Sequence, residues 1–181
     1  MSVEDADKPA EVMWEGRFIR AVRRGRWEYV GRRGGIEAAV IYAETPAGEV
    51  ILVEQYRVPL GRRSLELPAG LVGDDPAHAG AQGEGVASAA ARELEEETGY
   101  HAGRIEELGF FYASPGMTSE GFTLVRAHNV VKVGDGGGDA QEDIEVILVP
   151  RADLPAFVAA KRAAGVAIDV KMLLLLGDAL L

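Results

Sequence analysis

RELEEETG, residues 92–99, packs four glutamates and one arginine into eight residues and stops on a glycine. Successive helical residues turn by about 100°, so positions three and four apart share a face. With Glu93 as origin, Glu96 and Glu97 fall to either side of it, inside an arc of about 100°. Val86, Ala87, Ala90, Ala91, Leu94 and Thr98 occupy a neighbouring sector, a stripe of small and apolar side chains that would let the helix lie close to a sheet. Glu95 points away from the trio, toward water. Gly99 suits the left-handed position that ends a helix. A helix over 86–98 is the expectation.

A solvated acidic face is the bland account of such a helix. Solvated faces, however, usually set Lys or Arg four residues from Glu, and here only Arg92 and Glu96 are so placed. Three carboxylates near a helix C-terminus, where the dipole already disfavours negative charge, are unfavourable unless a cation binds them. Hard cations such as Mg²⁺ take carboxylate oxygens and complete their shell with water and substrate phosphate. The pattern reads as a cation site.

The chain has 181 residues, 48% hydrophobic and 27% charged, with a formal net charge of −10 and no cysteine. One domain, or one domain with a small appendage, fits that length. Disulfides and thiolate metal sites are excluded. His78, His101 and His128 show no metal-ligand spacing. The acidic balance argues against a general nucleic-acid binder, and a phosphate-bearing substrate would need a cation to mediate its approach. No secretory or membrane-spanning segment is read; MLLLLGDALL near the end is too short and is broken by Gly177 and Asp178. A cytoplasmic protein is expected, with no membrane partner.

Along the chain, residues 1–12 read as a disordered tail. Two short segments flank RRGRW within 13–30, a hairpin turning at Gly25, so 13–35 is read as an N-terminal β-region. Strands are expected over 36–44 and 49–57, with a short extended piece at 64–70, where Pro68 and Gly70 exclude a helix. A Gly- and Ala-rich stretch precedes the acidic helix. Strands are read over 105–114, 122–130 and 143–150, and helices over roughly 153–163 and 167–181. Residues 132–142 form a loop, and Gly134 to Gly138 within it suggest a segment that closes over substrate. Many strands with few helices imply an α+β or mixed-sheet α/β/α sandwich over 36–181, with the small antiparallel N-terminal element in front.

From Glu84, with seven residues and then Arg92 to Tyr100, the sequence resembles the Nudix box, G-x5-E-x7-R-E-U-x-E-E-x-G-U, where U is a bulky apolar residue. EQYR (54–57), ELPAG (66–70), SPG (114–116) and EDIEV (142–146) recur in this order in the ADP-ribose pyrophosphatase branch of that family. So does a proline sixteen residues past the box glycine, here Pro115. The similarity runs from about residue 13 to the C-terminus. It departs at one place: position 78, where the box begins with glycine, is histidine. With Gly70 as that glycine, the loop 71–83 holds an insertion of eight residues.

The resemblance implies the Nudix fold and Mg²⁺- or Mn²⁺-dependent hydrolysis of ADP-ribose to AMP and ribose 5-phosphate by a metal-activated water. Alternatives are another nucleoside diphosphate sugar or dinucleotide, or a non-catalytic nucleotide sensor. By the same resemblance Glu93 and Glu97 are the main metal ligands. Glu96 is a further ligand or holds bound water, and the Ala69 carbonyl adds a backbone oxygen. Arg92 orients the glutamates, and Glu142 completes a metal site or acts as base. Trp27 and Glu28 lie where relatives stack and read the adenine, although Trp27 suits a hairpin core equally well. Arg32 and Arg57 suit the phosphates, a guanidinium fork matching two oxygens. Residues 114–120, with Met117 and Glu120, resemble the loop beside the terminal ribose. A homodimer is implied, with the N-terminal sheets of two chains building the nucleotide pocket.

Overall fold

The computed structural model describes residues 3–35, 37–73, 85–138 and 142–177. Glu84 and most of the inserted loop thus lie outside the described residues.

Three strands come first: β1 (Ala10–Glu15), β2 (Ile19–Arg24) and β3 (Trp27–Arg32), an antiparallel meander in the order β1-β2-β3. The expected hairpin is its second half, and Gly25 makes the turn at φ 57°. β1 begins at Ala10, three residues inside the stretch read as a disordered tail; its backbone pairs with β2 from Ala10 to Glu15. The apolar run Val12-Met13-Trp14 supports a strand that the polar residues before it obscure.

β4 (Ala38–Ala43), β5 (Glu49–Arg57), β6 (Arg62–Glu66) and β7 (Ala69–Leu71) follow, then α1 (Val86–Thr98). Beyond it come β8 (Tyr100–His101), β9 (Arg104–Tyr112), β10 (Gly121–His128), β11 (Val131–Lys132) and β12 (Ile144–Pro150). The chain closes with α2 (Leu154–Ala163) and β13 (Ala167–Ile168).

Two four-stranded sheets organise these strands, in the orders β7-β4-β10-β9 and β12-β5-β6-β13, and β8 pairs with β11 in a short ribbon. The first is mixed, because β10 runs parallel to β4 while β7 and β9 are antiparallel to their neighbours. β4, AAVIYA, is buried on both faces, and that near-continuous apolar run is what a central strand requires. Ala39, Ile41 and Ala43 face one core with Ala90 and Leu94 of α1; Val40 and Tyr42 face another with Val50, Leu52, Leu65, Leu124 and Val158. The result is an α+β arrangement, two sheets with helices packed against them.

Three sequence expectations are corrected. The extended piece at 64–70 is two strands in two sheets, because ELPAG crosses from one sheet to the other between Glu66 and Ala69. On α1 the buried positions are Ala89, Ala90, Leu94, Glu97 and Thr98; Ala87 is exposed, so the stripe is rotated toward Glu97. The last expected helix, from 167, is instead β13 and a 3-10 turn over Val170–Leu176. Val166, Ile168, Met172, Leu174 and Leu175 are packed against the second core, and pairing β13 in parallel with β6 satisfies the backbone that a longer helix would have satisfied internally.

Candidate active site

A cavity of about 810 Å³ opens between the two sheets beside α1. Seven sequence-designated residues line it: Arg32, Arg57, Ala69, Glu93, Glu97, Glu120 and Glu142. They come from β3, β5, β7, α1, the loop before β10 and the approach to β12. No single stretch of chain could present them.

Glu97, like Glu66 on the same cavity, is buried, 5% exposed. Its Oε2 accepts a hydrogen bond from the Ala69 amide at 3.0 Å. Burial pushes its carboxyl up to about 8; Glu93 and Glu142 push the same way, while the Ala69 N–H and Arg57 pull against them. A carboxyl held in that state beside two others has a use for a divalent cation, which reverses the repulsion and favours the ionised form. Glu93 lies over Gly70, where a Cβ would overlap its side chain. The glycine of ELPAG is therefore required by a close approach, with no need of an unusual φ.

Glu96 does not join Glu93 and Glu97 in the cavity. Its side chain is 55% exposed and its Oε2 accepts from Arg92 Nη1 at 3.0 Å. The same Nη1 donates to Glu93 Oε1 at 2.9 Å, and Nη2 reaches the Leu71 carbonyl at 3.4 Å. Among the described residues no group of three or more His, Asp or Glu is poised to hold a metal as the side chains stand. Arg92 bridges Glu93 and Glu96 while the Ala69 amide holds Glu97, so the donor set suits a hard cation in chemistry and needs side-chain rotation to close on one. Of the expected ligands, Ala69, Glu93, Glu97 and Glu142 line the cavity and could hold it.

The cations of the cavity are each tied to an acid. Arg57 grips Glu66 with a bidentate fork, Nε to Oε1 at 2.9 Å and Nη2 to Oε2 at 2.8 Å. Arg32 Nε donates to Glu120 Oε1 at 2.6 Å. Lys171 Nζ donates to Asp169 Oδ2 at 2.6 Å, and both residues line the cavity. Sequence reasoning missed Glu66, Asp169 and Lys171. The signal for Glu66 was present in ELPAG; that for the other two was hidden by reading the C-terminal segment as helix.

Trp27 is 49% exposed and lines a second, smaller cavity of about 350 Å³ with Tyr29, Pro115 and residues near the N-terminus. It is thus neither a hairpin core residue nor part of the main cavity in this chain. Glu28 and Met117 line neither cavity. Met117 is 68% exposed, and its carbonyl accepts from the Val30 amide at 2.9 Å. The 114–120 loop thereby ties the N-terminal sheet to the rest of the molecule.

Gly134 to Gly138 do something the sequence did not suggest. The Gly137 amide donates to the Glu97 carbonyl at 2.8 Å and the Gly138 amide to the Glu96 carbonyl at 3.0 Å. Val133 and Gly134 donate to the Gly99 carbonyl, and Lys132 Nζ to that of Thr98 at 2.9 Å. Carbonyls left without partners at the end of α1 are capped by this loop. Gly134, Gly137 and Gly138 thus bind the C-terminal end of the acidic helix.

Residues 35–170 match the NUDIX domain family. The putative nudix hydrolase 2 of Caenorhabditis elegans is 32% identical over 191 aligned positions, covering 90% of this chain and 80% of that protein. The ADP-ribose pyrophosphatase of Bacillus subtilis (strain 168) is 41% identical over 85 positions, 46% of this chain and 40% of that protein. A crystal structure of an ADP compounds hydrolase superposes with a TM-score of 0.67 at 25% identity, covering 93% of this chain and 89% of the other. The chain belongs to the Nudix hydrolase family.

Proposed function

We propose that this hydrolase cleaves the diphosphate of ADP-ribose, water adding to one phosphorus while the bridging oxygen leaves with the other, to give AMP and ribose 5-phosphate. The observation that carries this reading is one cavity holding Glu93, Glu97 and Glu142 beside Arg32 and Arg57, acids for a divalent cation and guanidinium charge for phosphate oxygens. Mg²⁺ or Mn²⁺, when bound, would supply neutralising charge and acidify water. The chain's own part is positioning. Arg57, held by Glu66, presents a fixed face to the diphosphate, and Arg32 reaches the cavity from β3, the strand that also carries Trp27. Glu142 shares the cavity with the helix acids, as a further ligand or as the base that takes the proton of water. Phosphoryl chemistry asks mainly for such placement and charge stabilisation.

The exposed apolar side chains of the N-terminal region, Val12, Met13, Trp14, Phe18 and Ile19, favour a homodimer in which a second copy covers them. Light scattering that gives the mass of one chain at micromolar concentration would remove the dimer from this reading.

The activity is tested by incubating the protein with ADP-ribose and Mg²⁺ and following AMP and ribose 5-phosphate. No AMP at high enzyme concentration rules that substrate out. A panel of other nucleoside diphosphate sugars and dinucleotides then locates the preferred one. Binding of ADP-ribose with no turnover of any member would identify a sensor instead.

A further inference from the structure

Arg63 stands outside the cavity, yet it is tied to the segment that brings Glu142 into it. On β6, Ser64 and Glu66 line the cavity while Arg63, of opposite parity, does not. Its guanidinium is held on one side by Glu54: Nε donates to Oε1 at 3.0 Å and Nη2 to the Glu54 carbonyl at 2.7 Å. Glu54 is 4% exposed, and its other oxygen accepts from Lys161 Nζ of α2 at 2.6 Å. The fork is thus fixed by a buried carboxylate before it meets its last partner. That partner is Asp143, whose Oδ2 accepts from Nη1 at 2.6 Å, with the Glu145 carboxylate farther off, 4.0 Å from Nη2.

Asp143 directly follows Glu142 and directly precedes the first residue of β12. On the other side of Glu142, the Gly137 and Gly138 amides are bound to the carbonyls of Glu97 and Glu96. A Cβ on Gly138 would overlap the Glu142 carboxylate. Glu142 therefore lies between two anchors, one on the acidic helix and one on Arg63. The Asp143 side chain is 80% exposed, and an exposed ion pair contributes little to stability. Its consequence is geometric.

Resting on the reading that Glu142 serves the hydrolysis, we infer that Arg63 is a positioning residue: braced by Glu54 and Lys161, it holds Asp143 and through it aims Glu142 at the helix carboxylates. Groups that orient a metal ligand are worth about 10- to 100-fold in activity when removed.

A double-mutant cycle tests the inference. Arg63→Met and Asp143→Ala, the latter leaving the Glu54–Arg63 contact intact, are each combined with Glu142→Gln. Each single variant should lower kcat by about 10-fold or more with KM changed little, and Arg63→Lys should recover part of the loss. In the Glu142→Gln background the same substitutions should lower kcat no further. Losses that multiply in the double variants, or full kcat in both single variants, overturn the inference. Amide hydrogen exchange gives a second readout that needs no turnover. It should rise at 142–145 in Arg63→Met and Asp143→Ala and stay unchanged in α2 for Asp143→Ala. Unchanged exchange at 142–145 also overturns the anchor. Should the wild type leave ADP-ribose and every related compound intact, the proposed function falls by itself, while the exchange result still decides the anchor.

Discussion

The Glu97 carboxylate and the Ala69 amide meet at 3.0 Å, joining the acidic helix to the short strand that ends ELPAG. This contact orients a buried acid of the cavity, whereas Glu96, one residue earlier, is exposed and tied to Arg92. Glu97→Gln should cut kcat by at least about 100-fold, and Glu96→Gln should cut it far less. Steady-state assays at saturating Mg²⁺ check the order; equal losses at the two positions would show that the contact does not distinguish them.

Burial of Glu97 couples its charge to folding. Its folded value, about 8, lies above the ordinary 4.5, so between those values the native state holds a proton that the unfolded chain has lost. Stability of the metal-free protein should therefore fall as pH rises through this window, by up to about 1.4 kcal/mol per pH unit. Glu97→Gln should remove the slope and be the more stable protein at pH 8. Thermal melts in EDTA at pH 5 and pH 8 measure it. Equal pH dependence in the two proteins would falsify the assignment.

Divalent metal inverts that trend. A cation takes the ionised carboxylate, so Mg²⁺ or Mn²⁺ binding should strengthen as pH rises from 6 to 8 and should release protons. Calorimetry in two buffers of different ionisation enthalpy counts them. No uptake of either ion, with or without nucleotide, would remove the cation site altogether.

Gly70→Ala should separate activity from folding. The new methyl would displace the Glu93 side chain, the flexible partner, while the backbone stays in place. A loss of about 10-fold or more in kcat is expected, with a melting temperature within a few degrees of the parent. An active variant would mean that Glu93 need not lie over Gly70.

Gly136→Ala should act the other way. Gly136 sits at φ 73°, and a Cβ there would strike the Thr98 backbone, which cannot swing aside. The left-handed conformation alone costs about 1–2 kcal/mol, and the clash adds to it. A fall of about 5 °C or more in melting temperature is expected. A parent-like melt would show that the glycine loop does not cap α1 as described.

RELEEETG announced its helix, the stop at Gly99 and a concentration of acids in need of a cation, because helical periodicity and glycine's conformational freedom act over a few residues. The apolar run of β4 and the hairpin turn at Gly25 were legible for the same reason. Tertiary structure decided which acids meet. Glu96 is drawn out to Arg92, while Glu142, far along the chain, enters the cavity. ELPAG had to be seen crossing between sheets before Glu66 and Ala69 could be placed on one cavity wall. Lys171 and Asp169 were invisible because a leucine-rich end reads as helix until β6 offers it an edge. Local pattern sets what a segment can form; packing and hydrogen-bond completion over long sequence separations set what it faces.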